Sequence, residues 1–109
     1  MPVHEFSIAD VKDRLVAANG GYEIVHESPG VEVGVYTLVA PEPDHQQPHD
    51  VDEIYIVLEG RGTLDVEGTS IPVQEGHAVF VEAGAKHQFT GYEQLSVLVI
   101  FERWAAGKP

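Results

Sequence analysis

Cysteine is absent, and with it every disulfide and thiolate metal site; an ion bound by this chain has to be held by nitrogen and oxygen. Basic residues are scarce as well. Six Lys and Arg stand against 18 Asp and Glu, a formal charge of −12. A phosphate backbone repels such a chain and no basic stripe offsets the repulsion, so nucleic acid is not expected as a partner. No apolar run nears the roughly 18 residues of a membrane span, and the start, MPVHEFSIAD, has neither the basic nor the apolar region of a secretion signal. The expectation is a cytoplasmic protein without a membrane partner. The surplus of acid is read as a device for solubility rather than as a sign of a cationic partner.

What is present suits one globular unit. Hydrophobic residues make up 43% of the 109, enough for one domain spanning 1–109 with a single core. Ile8, Val11, Leu15 and Ala18 recur at helical spacing, which predicts a helix over about 7–19. Ser7 can cap its start, with Asp10 three residues on, and Gly20–Gly21 supplies the stop. From residue 22 to about 102 the pattern changes to period two. YEIVHES, VEVGVYTLVA, EIYIVLEG, GTLDVEG, TSIPV, HAVFVEA, HQFTGY and LSVLVIFER read as strands, divided by Gly- and Pro-containing turns such as SPG, PEPD, EGRG and EAGAK. Strands this short at this spacing predict an antiparallel sandwich or barrel. The C-terminal WAAGKP reads as a loose tail. No repeat or linker interrupts the chain.

One stretch carries more polarity than its position explains. In DHQQPHDVDEIYIVLEGRG, residues 44 to 62, histidines, glutamines and carboxylates run directly into a β-branched segment. Groups with lone pairs beside a core strand are costly unless something uses them. His49 and Glu53 stand four apart, and Pro48 with the β-branched run argues against a helix. The remaining geometry is a turn region, PHDVDE, with His49 before it and Glu53 after it, both directed into the barrel. By period two, Gln47 and His45 share the face of His49.

This stretch resembles the first conserved motif of the cupin family, G-x5-H-x-H-x(3,4)-E-x6-G: His49 matches the second histidine, Glu53 the glutamate and Gly60 the closing glycine. Downstream, GHAVFVEAGAKHQFTG resembles the second motif, G-x5-P-x-G-x2-H-x3-N, with Gly76, Gly84 and His87 in register. The likeness covers roughly residues 31 to 101. The first histidine of the family pair falls on Gln47, the motif proline on Glu82 and the asparagine on Gly91. The resemblance implies an all-β double-stranded β-helix, a jelly-roll barrel with a short N-terminal helix outside it. It also implies one divalent transition metal per chain, Fe(II), Zn, Mn, Ni or Cu, held by His49, Glu53 and His87 with Gln47 in the fourth place. Glu53 is the candidate catalytic group, and His45 is the rival to Gln47. Neutral imidazole suits these ions, and a carboxylate balances their charge.

With Gln47 unbound, the other three resemble a two-histidine, one-carboxylate triad with open positions. The leading expectation is therefore a metal-dependent, dioxygenase-type oxidoreductase acting on a small organic molecule. A sugar isomerase, epimerase or lyase, which the glutamine favours, and a non-catalytic binder of a small ligand are the alternatives. Small cupins commonly dimerise, so a homodimer is expected. His4, His26 and His77 are expected to be solvated. Tyr55, Val57, Phe80 and Phe89 are expected in the core, Lys86 at the surface near the barrel mouth, and Glu59 and Arg61 beside a hairpin turn.

Overall fold

A computed structural model of the protein describes residues 2–103; the tail, 104–109, lies outside the described residues. Helix α1 (Ile8–Ala17) starts where Ser7 Oγ accepts the amide of Asp10 at 3.2 Å, which satisfies one of the donors a helix start leaves free. It stops on Asn19, at φ +67°, while the Gly20 amide donates to the Leu15 carbonyl at 2.8 Å. The left-handed position thus falls on the asparagine, one residue before the glycine pair. Among the described residues, no helix is long and apolar enough to cross a membrane.

Seven antiparallel strands follow: β1 (Gly21–Glu27), β2 (Val31–Val39), β3 (Glu53–Val66), β4 (Thr69–Gln74), β5 (Ala78–Val81), β6 (His87–Thr90) and β7 (Gln94–Glu102). One sheet runs β1-β2-β7-β3-β5, using the first half of β3, and β4 and β6 pair with its second half. Side chains alternating inward from the two layers form the core of a jelly-roll barrel. Leu64, Leu95 and Val97 are completely buried there beside Tyr55, Val57 and Phe89. Removing each such aliphatic or aromatic side chain from water stabilises the fold by roughly 1.5–3 kcal/mol.

The glycines of EGRG predict a turn between two strands, but the chain continues through them as one strand that bends. The register of β3 against β7 shifts between Val57 and Glu59, and Gly60 sits at φ +86°. A Cβ on Gly60 would stand 2.0 Å from the Gln94 carbonyl oxygen, so only glycine allows the close approach. Glu59 therefore does not flank a hairpin: it accepts from Lys12 Nζ at 2.9 Å and from Gln94 Nε2 at 2.7 Å, tying the helix to the sheet.

Phe80 is a second correction. Its neighbours Val79 and Val81 pack inward, so period two turns Phe80 outward, 60% exposed, opposite Ile54 of β3.

Candidate metal centre

Residues 40–52, which join β2 to β3, form no strand, so period two does not govern which side chains point inward. Side-chain and backbone anchors do. Asp44, 3% exposed, accepts from Tyr36 Oη at 2.6 Å, from the Phe89 amide at 2.9 Å, from the Gln46 amide at 3.1 Å and from the Gln46 side chain. Four donors offset the cost of taking this anion out of water. Farther on, the His49 carbonyl accepts from Gly84 at 2.6 Å, and Asp52 accepts from Ala83 at 2.9 Å and from Glu102 at 3.1 Å. The segment is stitched to the loop before β6 and to β7, which fixes where His49 stands.

His49, Glu53 and His87 come together. One ligand atom from each lies within 4.8 Å of the others, a spread that bonds of about 2 Å to a common ion can span. Glu53, at the start of β3, is 2% exposed, and neither of its carboxylate oxygens receives a hydrogen bond. His87 Nε2 stands 2.6 Å from Glu53 Oε1, an ion pair when the imidazole is protonated and a pair of facing ligand atoms when it is neutral. A buried, unsatisfied carboxylate is costly unless a cation compensates it. His87 Nδ1 is 2.8 Å from the Ala85 carbonyl, so Nδ1 carries the proton it donates there, and Nε2 faces the cluster as the ligand atom. Burial lowers the proton affinity of His87, but the Glu53 carboxylate and the Ala85 carbonyl outweigh it, and the net shift is upward. The donor set fits a borderline divalent ion on both counts, chemistry and compensation of charge.

Gln47 is not brought to this point. It is exposed on the outer side of the 40–52 segment, its side-chain amide facing the His45 carbonyl at 3.4 Å. His45 also points away, with Nε2 at 3.0 Å from Glu42. The glutamine that turns inward is its neighbour Gln46, which accepts from Tyr55 Oη at 2.7 Å. Lys86, exposed, shares with Gln47 a recess that His87 also lines, on the other side of the segment from the cavity of His49. His77 is exposed, and the Nδ1 atoms of His4 and His26 lie 3.0 Å from each other, away from the cluster.

Tyr55 belongs to the core and to the site together. It is 1% exposed, and its hydroxyl lies 2.9 Å from His87 Nε2. Burial first, then the charge of Glu53, raise its proton affinity and hold the phenol neutral. Tyr55 follows Glu53 by two residues on one strand, so period two is the signal that places both on one face. Gln46 carries no such signal, because it lies outside the strands and its position depends on Asp44.

His49, Tyr55 and Gln46 line a cavity of about 660 Å³, with Val51, Val99 and Phe101 as apolar wall. The His49 ring packs edge-on against Phe101 at 4.7 Å between centroids. An open recess of this size, with polar groups converging beside an apolar wall, suits a small organic ligand.

Comparison with known proteins agrees with this architecture. Protein SCO3923 of Streptomyces coelicolor is 35% identical over 97 residues, covering 88% of this chain and 92% of its own length. TT1209 from Thermus thermophilus superposes with a TM-score of 0.76 at 22% identity, covering 91% of this chain and 97% of that one. The DMSP lyase DddQ from Ruegeria pomeroyi DSS-3 gives 0.70 at 22% identity over 77% of this chain, which spans 47% of the lyase. At these identities the structural likeness speaks for the fold alone. Residues 35–101 match the cupin domain, and the chain belongs to the cupin family.

Proposed function

We propose that the protein holds one divalent transition metal through His49, Glu53 and His87 and acts on a small organic molecule as a dioxygenase-type oxidoreductase. One observation carries the reading: two imidazoles and a buried carboxylate without hydrogen bonds converge within 4.8 Å, and one of the imidazoles, His49, lines the cavity. Bound there, an ion supplies Lewis acidity and, if redox-active, a route for electrons to dioxygen. The chain's own contribution is orientation and dryness. Ala85 fixes the His87 ring, and Glu53 brings the negative charge and a carboxylate oxygen free to take a proton. Val51, Val99 and Phe101 keep bulk water from the inner wall. Dioxygen consumption that depends on added Fe(II), across diketones, flavonols and thiols, tests this directly. Background uptake with Fe, Mn, Ni and Cu alike overturns it.

A lyase or isomerase is the second reading, and Tyr55 favours it. A neutral phenol 2.9 Å from His87 Nε2 is placed to donate a hydrogen bond to negative charge that develops on a substrate oxygen. The outward Gln47 withdraws the argument for an isomerase that rested on a metal-bound glutamine. Incorporation of solvent deuterium without oxygen consumption marks this reaction class.

Pairing of two copies rests on one feature of the sheet. Phe80, Ile54, Ile100 and Val33 stand in register across β5, β3, β7 and β2, with Phe80 and Ile54 exposed. A row of apolar side chains across four strands gains by covering itself with its counterpart.

A further inference from the structure

The outer half of the cavity has a chemistry of its own. Three aromatic rings stand there. Tyr22 and Tyr36, partners across β1 and β2, meet edge to face at 6.1 Å, and Phe101 closes the wall toward His49. Three carboxylates, Glu32, Asp50 and Glu102, share the lining with a single cation, Arg103. The Arg103 guanidinium is engaged by the Ser28 carbonyl at 2.7 Å.

The position of Tyr22 is built into the neighbouring strand. Its ring lies over Gly34 so closely that a Cβ there would stand 2.3 Å from the Tyr22 hydroxyl. Gly34 is two residues from both Glu32 and Tyr36 on β2, so all three share one face. Laid across this glycine, Tyr22 reaches Glu32 Oε2 at 2.8 Å. Burial and the Glu32 carboxylate hold it as a neutral phenol, and burial with the Asp44 hydrogen bond does the same for Tyr36.

Behind the inner wall residue His49, an oxygen of the buried and unsatisfied Glu53 lies within 4.8 Å of an imidazole nitrogen. The cavity therefore has two unlike ends. The inner end is suited to an oxygen donor on a metal. The outer end offers ring faces and, among the described residues, three carboxylates against one guanidinium, the combination that attracts an ammonium or sulfonium group and repels a phosphate or a second carboxylate.

We infer that this outer half, Tyr22, Tyr36 and Phe101 with Glu32, Asp50 and Glu102, is a subsite for the positively charged end of the substrate. The substrate class is then a small zwitterion: an oxygen donor, such as a carboxylate, at one end and an onium group at the other. The inference rests on the proposed metal site for the inner end only.

Calorimetric titration of the Zn-loaded protein tests it without reference to turnover. The probes are ω-trimethylammonio carboxylates of two to five carbons, their uncharged tert-butyl isosteres, and dicarboxylates of matched length. The ammonium series binds at its best length about tenfold tighter than its tert-butyl isostere, and the dicarboxylates bind weakest. Glu32→Gln removes most of that preference while leaving the tert-butyl series unchanged. Gly34→Ala displaces a side-chain tip rather than backbone, so the fold persists, and it weakens the ammonium series alone. Metal uptake with equal affinity across the three series, or with no binding by any, overturns the subsite and leaves the metal site standing. Failure to take up Zn in proportion to chain removes the metal site and this inference together.

Discussion

Glu53 and His87 meet at 2.6 Å although they belong to opposite ends of one bent strand: Glu53 begins β3, and His87, on β6, pairs with Val66, which ends it. A straight strand of that length would hold its ends about 43 Å apart. The bend at Gly60 folds the two arms into facing layers and brings the carboxylate to the imidazole.

His87→Ala removes one of three ligands and takes from the buried Glu53 carboxylate its 2.6 Å partner. Metal content by elemental analysis is expected to fall about tenfold or more, while far-ultraviolet circular dichroism stays that of a β-barrel. Equal metal in variant and parent sinks the assignment.

Gln47→Ala is expected to keep its metal, since the side chain faces the His45 carbonyl outside the cavity. Gln46→Ala removes the acceptor of the Tyr55 hydroxyl and is expected to weaken metal binding roughly tenfold through the freed phenol. The opposite ranking would restore Gln47 to the coordination shell.

The chelated and the loaded protein should respond to pH in opposite senses. His87 carries a raised proton affinity next to Glu53. In the chelated protein this stabilisation is complete below the ordinary histidine value of roughly 6.5 and is lost as pH rises through the raised value. Urea midpoints of chelated protein are thus expected to fall as pH rises from roughly 6.5 through the raised value. The loaded protein needs a neutral imidazole and is expected to lose its ion as pH falls toward about 6. Parallel curves for the two forms contradict the role of His87.

How far the sequence reaches can be judged residue by residue. Ser7 with the spacing of Val11 and Leu15 locates the helix, and strand alternation places Val57 and Phe89 inside, because these signals are local. Motif spacing brings His49, Glu53 and His87 into one set. Gln47 and Gln46 cannot be told apart in this way, since the segment that carries them is held by Asp44 and by Gly84 rather than by strand pairing. Likewise the glycines of EGRG signal a departure from a straight strand, yet only contact with Gln94 on β7 decides between a turn and a bend.

Gly60→Ala places a Cβ 2.0 Å from a backbone oxygen at a left-handed φ of +86°. The expected loss is roughly 2–4 kcal/mol, a fall in Tm of about 10 °C or more. Gly68→Ala is the control: φ is +85°, but nothing lies within 4 Å, so only the backbone strain of about 1 kcal/mol applies. Equal losses at the two sites would show that the crowding at Gly60 relaxes freely.

Phe80→Lys and Ile54→Lys are each expected to yield monomer in sedimentation where the parent is a dimer. At −12 per chain, two copies repel, so added salt is expected to tighten the parent dimer. A parent that stays monomeric at high salt rules out pairing through this face.

The single bent strand also sets a rule for how the site responds to change. Since Glu53 and the partner of His87 belong to one continuous backbone, the opening angle at Gly60 governs the bite between these two side chains, much as the pivot of a pair of tongs governs the gap at its tips. Tolerance for ions of different radius is then governed several residues away from any atom that touches them, by how stiffly the chain is creased.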